Sequence, residues 1–329
     1  MKAICFNQAG GPEVLYVGEV QEPELKEGEL LIEVKAAALN RADLAQRRGL
    51  YPPVPGESEI LGLEIAGKVT RTGTGVKGWS PGDLVCALLP GGGYAERVAI
   101  PAGMAMRLPE KMTFQEAAAL PEAFLTAYLN LVWLGGMKAG HNVFVPAGAS
   151  GVGTAAIQII RASGANAYVS AGSAEKLALC SELGALAGWN YREGGSFADW
   201  LRRETGGRGV DLVLDLVGAP NMAGYVEALA EDGAILLVGL VGGSKVKELD
   251  LNPLLMKRLK IIGSTLRKRT KDEKIALTKQ FWTWAYPLFT ENRMKPVIDS
   301  TFPWKKAAEA HAYMESNQNK GKIVLDFSR

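Results

Sequence analysis

Residues 143–158 read VFVPAGASGVGTAAIQ, an apolar run that passes through a turn of small residues into a helix-forming stretch. The turn comprises Ala147, Gly148, Ala149, Ser150, Gly151, Val152 and Gly153. Side chains this small let backbone approach a phosphate, and the N–H groups that open a helix carry partial positive charge toward it. The pattern is not the usual G-x-G-x-x-G. Read as A-x-x-G-x-x-G, it has Ala147, then Ser150 where a glycine is expected, then Gly153. Close packing of helix on strand also selects small residues, so the string by itself is weak. Its surroundings strengthen it. Apolar runs recur at 167–171, 210–216, 234–238 and 259–263, with helical spacing at 151–162, 174–183, 197–204 and 222–230 between them. Near-continuous apolar strands alternating with amphipathic helices predict a parallel sheet covered on both faces. The fold class is therefore α/β, a doubly wound sheet with a dinucleotide beyond the strand ends.

The second strand decides which dinucleotide. It runs into Gly172, Ser173, Ala174, Glu175 and Lys176. An NAD site normally carries a carboxylate at that strand end, where it would repel a 2′-phosphate. Here a hydroxyl and a cation follow instead, which favours NADPH. The competing reading makes Ser173 a helix N-cap and Lys176 a solvated lysine. Later strand ends fall at 215–218 and 239–243. They predict the nicotinamide near Leu240 and Val241, with Asp215 structural.

Outward from this core the rhythm changes. The first 120 or so residues show short strands at 30–36, 65–71 and 83–87, one short helix at 42–48 and glycines at 73, 75, 78, 82 and 91–93. This reads as a barrel-like β unit. A helix over 271–290 follows the alternating region, and the strand-like 322–327 is expected to rejoin the β unit. Two domains also suit a chain of 329 residues. With 37 basic and 35 acidic residues the charge is near balance, and no basic stripe suggests nucleic acid. Three scattered cysteines and two distant histidines form neither a metal-spaced set nor a disulfide framework, so no metal is expected. The uncharged stretch 142–160 is broken by Pro146 and glycines, and the N-terminus turns polar at Asn7. A cytoplasmic protein without membrane attachment is expected. Thirty-nine glycines, about 12% against roughly 7% in typical usage, imply many close backbone approaches.

Several segments carry a family likeness: GGPE at 10–13, ALNRADL at 38–44, LGLE at 61–64, LPGGG at 89–93, PEAFLTA at 121–127, the 147–158 turn and GKIVL at 321–325. Over essentially its full length the chain resembles the medium-chain dehydrogenase/reductases. It is most similar to the zinc-free, zeta-crystallin-like quinone oxidoreductases and their tumour-suppressor-inducible branch. The resemblance implies a GroES-like β-barrel catalytic domain from residues 1–122 and 291–329, and a Rossmann domain at 123–290. It implies Asn40 and Tyr51 at the nicotinamide and substrate, and Thr126 near the cofactor. Ser150, Gly151 and Val152 would hold the pyrophosphate, and Gly172, Ser173, Lys176 and Tyr191 the 2′-phosphate. Leu240, Gly242, Ser264 and Leu266 would line the nicotinamide end. Residues 254–258 are expected at the substrate mouth with Asn40 and Tyr51. Packing of the 50–53 loop would equally explain Tyr51, and a hydrogen bond within its own helical turn would explain Thr126. Both histidines read as surface or packing residues.

Zinc alcohol dehydrogenases carry Gly-His-Glu where this chain has Gly62-Leu63-Glu64, and a cysteine ligand where it has 40–43. The cysteine-rich lobe is absent too, as Pro90 leads straight on to Tyr94. The implied activity is NADPH-dependent reduction of quinones such as ortho-quinones without a metal. Orientation plus one hydrogen-bond donor, from Asn40 or Tyr51, would suffice for so electrophilic a substrate. Whether electrons move singly or as hydride stays open. The alternatives are an enoyl reductase acting on an unsaturated ketone or thioester, and an NADPH-binding structural or regulatory protein with little turnover. A homodimer joined at Rossmann sheet edges is expected from the likeness.

Overall fold

The computed structural model describes residues 1–328. The chain forms two compact units, one from Thr126–Leu266 and one from Met1–Leu125 together with the segment that starts at Arg267.

The Thr126–Leu266 unit is a six-stranded parallel sheet. In spatial order its strands are Ala187–Asn190, Asn166–Ala171, Asn142–Val145, Val210–Asp215, Leu229–Leu237 and Lys260–Gly263. Numbered along the chain this is 3-2-1-4-5-6, the doubly wound order whose direction reverses beside the first strand. The helix Gly151–Ala162 buries Ala155, Ala156, Ile157, Ile159 and Ile160, each isoleucine contributing about 1.5–3 kcal/mol of apolar burial. Phe144, Tyr168, Trp200, Val213 and Tyr225 build a core on this sheet. Phe144 stacks on Phe197 with centroids 5.5 Å apart.

The third strand, Ala187–Asn190, has no counterpart among the expected apolar runs. It is a four-residue edge strand that includes Gly188 and remains partly solvated. The fifth begins at Leu229 rather than 234, because a bulge at Asp232, with φ 61°, interrupts its pairing with Val210–Asp215.

The other unit is a seven-stranded sheet. Glu29–Ala38 is its hub, pairing with Glu64–Thr72, Arg97–Pro101 and Lys322–Asp326. Breaks in register at Leu31/Ile32 and Val34/Ala36 let one long strand bend between three partners. The C-terminal strand thus rejoins the β-rich unit, antiparallel to Glu29–Ala38. Leu30, Ile32, Ile65, Val85, Ile100, Trp304, Ile323 and Leu325 pack together inside. The helix Lys271–Thr290 also packs here. Phe281 and Phe289 meet Phe124 at 6.3 and 5.2 Å, and Ile275 lies against Gly103. The chain therefore returns at Arg267 and not at 291. The helix was expected in the Rossmann domain as far as residue 290, but its buried Phe281 and Phe289 pack on Phe124 and it belongs to the β-rich unit.

Candidate functional site

In the Rossmann-type unit the strand Asn142–Val145 ends in a turn with Ala147 in the left-handed region, φ 57°. Ser150 then caps the helix Gly151–Ala162, its hydroxyl accepting the Gly153 N–H at 3.0 Å. A serine where glycine was expected is thus a helix cap. The N–H groups of Gly151 and Val152 have no intrahelical acceptor and point out of the helix start. Gly153 tolerates no side chain, because a Cβ there would lie 2.5 Å from the carbonyl oxygens of Ala147 and Gly148. The turn is a cradle lined by backbone N–H groups, suited to a pyrophosphate.

Gly172, Ser173, Lys176 and Tyr191 come together at the ends of the second and third strands. A Cβ on Gly172 would meet the Tyr191 hydroxyl at 2.4 Å, so the tyrosine lies across the glycine. Ser173 caps Ala174–Leu183 by accepting the Lys176 N–H at 3.3 Å, which leaves its own proton for another acceptor. Glu175 is exposed, and no carboxylate ends the strand. Gly242 donates to the Val217 carbonyl at 2.8 Å and Ser264 to Leu237 at 3.0 Å. The first bond joins the loops after the fourth and fifth strands and the second ties the end of the sixth to the fifth, with Leu240 half exposed beside them. Leu266 and Thr126 are buried, and the Thr126 carbonyl accepts from the Asn130 amide at 2.8 Å. Asp215 is structural: one oxygen accepts from the Val217 and Gly218 N–H groups and the Tyr225 hydroxyl, and burial raises its pKa.

Residues 254–258 do not fit the expected substrate mouth. Arg258 pairs with Asp232 and Glu231, ahead of the strand Lys260–Gly263. That is the amino end of the sheet, opposite the cradle.

In the β-rich unit the chemistry is made of side chains. The strand Glu64–Thr72 begins with Glu64, fully buried. Its carboxylate accepts the Asn40 amide at 2.8 Å, the Lys322 ammonium at 2.6 Å and the Glu122 backbone N–H at 2.8 Å. Lys322 also donates to the Leu39 carbonyl at 2.7 Å and to Asn40 Oδ1 at 2.6 Å, so all three of its protons are used. The remaining Asn40 proton faces the Ala38 carbonyl at 3.4 Å. Asp43 accepts the N–H groups of Asn40 and Gly62 and the Tyr94 hydroxyl. Burial raises its carboxyl to about 6. Beyond Tyr94 the chain of contacts continues through His311 to Arg47 and Glu315. Arg47 only donates, so His311 Nδ1 accepts and Nε2–H points to Tyr94. Burial and the Arg47 charge hold this imidazole neutral, its pKa pushed down to about 3.

Tyr51 lies beside this network, with the Arg267 guanidinium 5.4 Å from its ring centroid. Partial burial and Glu122 raise the Tyr51 pKa, so the phenol keeps its proton at neutral pH. Arg267 donates to the Pro90 carbonyl at 2.8 Å, while its terminal nitrogens are buried without a partner among the described residues.

Residues 26–110 match the alcohol dehydrogenase GroES-like domain, and residues 151–281 match the zinc-binding dehydrogenase family. The chain is 32% identical to the quinone oxidoreductase of Rattus norvegicus over 99% of its own length and 97% of the relative's. It belongs to the medium-chain dehydrogenase/reductase quinone oxidoreductase family. The Escherichia coli quinone oxidoreductase, solved in complex with NADPH, superposes with a TM-score of 0.87 at 31% identity, covering 99% of this chain and 100% of that one. The CurK enoyl reductase does so with a TM-score of 0.86 at 26% identity, over 99% and 98%.

For this member of the family the zinc question is answered by chemistry. Leu63 offers no ligand, Glu64 is neutralised by Lys322, and Asn40 spends both ends of its amide inside the protein. No cluster of three metal-ligating side chains occurs among the described residues. The residues present do not fit zinc. The same saturation leaves Asn40 no free amide proton. Lys322, Glu122, Arg267 and His311 escaped sequence reasoning as members of this cluster, since they gather from positions up to 282 residues apart. A lysine opening the largely apolar strand Lys322–Asp326 was the one available signal.

Proposed function

We propose that this protein is an NADPH-dependent oxidoreductase that reduces quinones, ortho-quinones among them, without a metal. The observation that carries the cofactor half is Tyr191 lying across Gly172, with the Ser173 cap and Lys176 on the turn that follows, beside a strand end with no carboxylate. The pyrophosphate goes to Ser150, Gly151 and Val152, and Leu240, Gly242, Ser264, Leu266 and Thr126 attend the nicotinamide end. When bound, NADPH supplies the reducing equivalents. In the β-rich unit Tyr51 donates a hydrogen bond to the acceptor oxygen, and Asn40 keeps Glu64 and Lys322 in place. Full-length similarity to quinone oxidoreductases supports the substrate class.

Lys176→Ala tests the cofactor assignment. Loss of a charge-assisted bond worth about 1.5–3 kcal/mol should weaken NADPH more than tenfold. NADH should change little in the same fluorescence titration. Equal weakening of both would return Lys176 to helix surface. Likeness to the CurK enoyl reductase favours a second reading, alkene reduction. Steady-state rates with 1,2-naphthoquinone and with an enone separate the two, and faster enone turnover defeats the quinone assignment. NADPH binding without oxidation by either would leave a binding protein.

A homodimer and a cytoplasmic setting belong to the same proposal. The edge strand Lys260–Gly263 leaves Ile261 exposed, with Leu255 and Met256 exposed nearby. Such an edge invites pairing with a second copy. No helix among the described residues is long and apolar enough to cross a membrane.

A further inference from the structure

A reduced quinone needs a proton as well as electrons, and the β-rich unit holds few groups able to give one. Lys322 has spent its three protons on Leu39, Asn40 and Glu64. Asn40 is saturated, and Asp43 accepts three hydrogen bonds while fully buried. Arg267 does not deprotonate. The Tyr51 phenol holds its proton more tightly than usual.

Glu122 is the exception. It stands in the first turn of the helix Pro121–Tyr128, where its backbone N–H is fastened to Glu64 at 2.8 Å. Its carboxyl takes no hydrogen bond and no ion pair among the described residues, and the residue is largely buried but keeps some exposure, unlike Glu64 and Asp43. The charged groups facing it are Glu64, Asp43, Lys322 and Lys274, with Tyr51 alongside. Lys274 in turn faces Glu57 and Arg267. Three carboxyl groups thus share two ammonium groups, and Lys322 is already committed to Glu64. The least committed carboxyl is the one that keeps a proton.

We propose that Glu122 is the general acid of the reaction, handing its proton to the oxygen of the reduced acceptor. This rests on the quinone reading above. The balance is simple: the quinone would gain the equivalent of a hydride, two electrons and one proton, from NADPH, and one oxygen of the resulting monoanion takes a second proton. The Glu122 O–H bond breaks, the product O–H bond forms, and water restores the acid. Burial and the Glu64 charge raise the Glu122 carboxyl to about 8, so it is protonated at neutral pH and still acidic enough to give.

The test is the pH profile of kcat for quinone reduction at saturating NADPH. The wild-type rate should fall as pH rises through about 8. Glu122→Gln should cost about a hundredfold in kcat and remove that limb, with NADPH binding by fluorescence unchanged. Glu122→Asp should recover part of the rate together with a limb. Lys274→Met, which removes a cation that favours the carboxylate, should move the limb to higher pH. An infrared carboxylic-acid band that disappears through the same pH range in wild type, and is missing in Glu122→Gln, would identify the group directly. A Glu122→Gln enzyme with the wild-type rate and limb overturns the acid role alone. Wild-type protein that turns over neither quinone nor enone overturns the functional reading and the acid role together.

Discussion

The two units build their sites from different materials. The Rossmann-type unit uses backbone: N–H groups at a helix start, glycines that leave room, and serine caps that hold the turn open. The β-rich unit uses side chains, with Glu64, Lys322, Asn40 and Asp43 locked in a buried hydrogen-bonded cluster. A backbone site is tuned by shape and fails through steric intrusion. A side-chain site is tuned by charge and fails when one partner leaves the others unpaired.

The largest effect should come from Lys322→Met. It strands a fully buried carboxylate, and removing one partner of such a pair costs about 3–5 kcal/mol. Urea unfolding should show the loss, and Glu64→Gln added to Lys322→Met should restore part of it. No restoration would mean that Lys322 acts through packing alone. Next is Gly153→Ala, whose methyl would press on two carbonyl oxygens. NADPH affinity should fall by about tenfold or more, roughly 1.4 kcal/mol, while a nearly unchanged affinity would show that the cradle yields. Ser150→Ala removes a cap worth about 1 kcal/mol, which differential scanning should register as a modest drop in Tm.

The smallest effect at neutral pH belongs to His311→Gln, and its value lies in the pH dependence. The folded imidazole has a pKa near 3 against 6.5 for the free group. Below pH 6.5 the unfolded chain therefore takes up a proton that the folded protein refuses, and stability falls on acidification. Asp43, raised to about 6, works in the opposite sense: its contribution is complete below its ordinary value of 3.8 and is lost as pH rises through 6. His311→Gln removes the first of these effects and keeps the second. The variant should lose less stability than wild type between pH 6.5 and pH 4, and parallel curves would mean that the imidazole is not shielded.

The same contrast explains what the sequence disclosed. The cradle occupies 147–153 and the neighbouring strand end 172–176, so spacing along the chain mirrors spacing in the fold. Ser150 stood out as a misplaced glycine, and its capping role follows from its hydroxyl. The strand Ala187–Asn190 was invisible because a short, partly solvated edge needs no apolar run. The cluster around Glu64 draws on residues 40, 43, 122 and 322, and no local periodicity relates them. His311, in an alanine-rich helix, read as a surface or packing residue; it is fully buried and in addition joins Tyr94 to Arg47. The helix 271–290 was read at its true length and given to the wrong neighbour, since amphipathicity shows that a face is covered but not by what.

The pairing of Lys322–Asp326 with Glu29–Ala38 also sets an order of events during synthesis. Residues 126–266 are contiguous, so their sheet can close as soon as they leave the ribosome. The hub strand has to wait for a partner almost three hundred residues downstream. At about 5–20 residues per second, that delay is roughly tens of seconds. Through that interval Glu64 lacks its ammonium and one edge of the hub stands open to whatever strand comes by. Nascent chains stalled before residue 322 should therefore be protease-resistant in the middle and soft at the front.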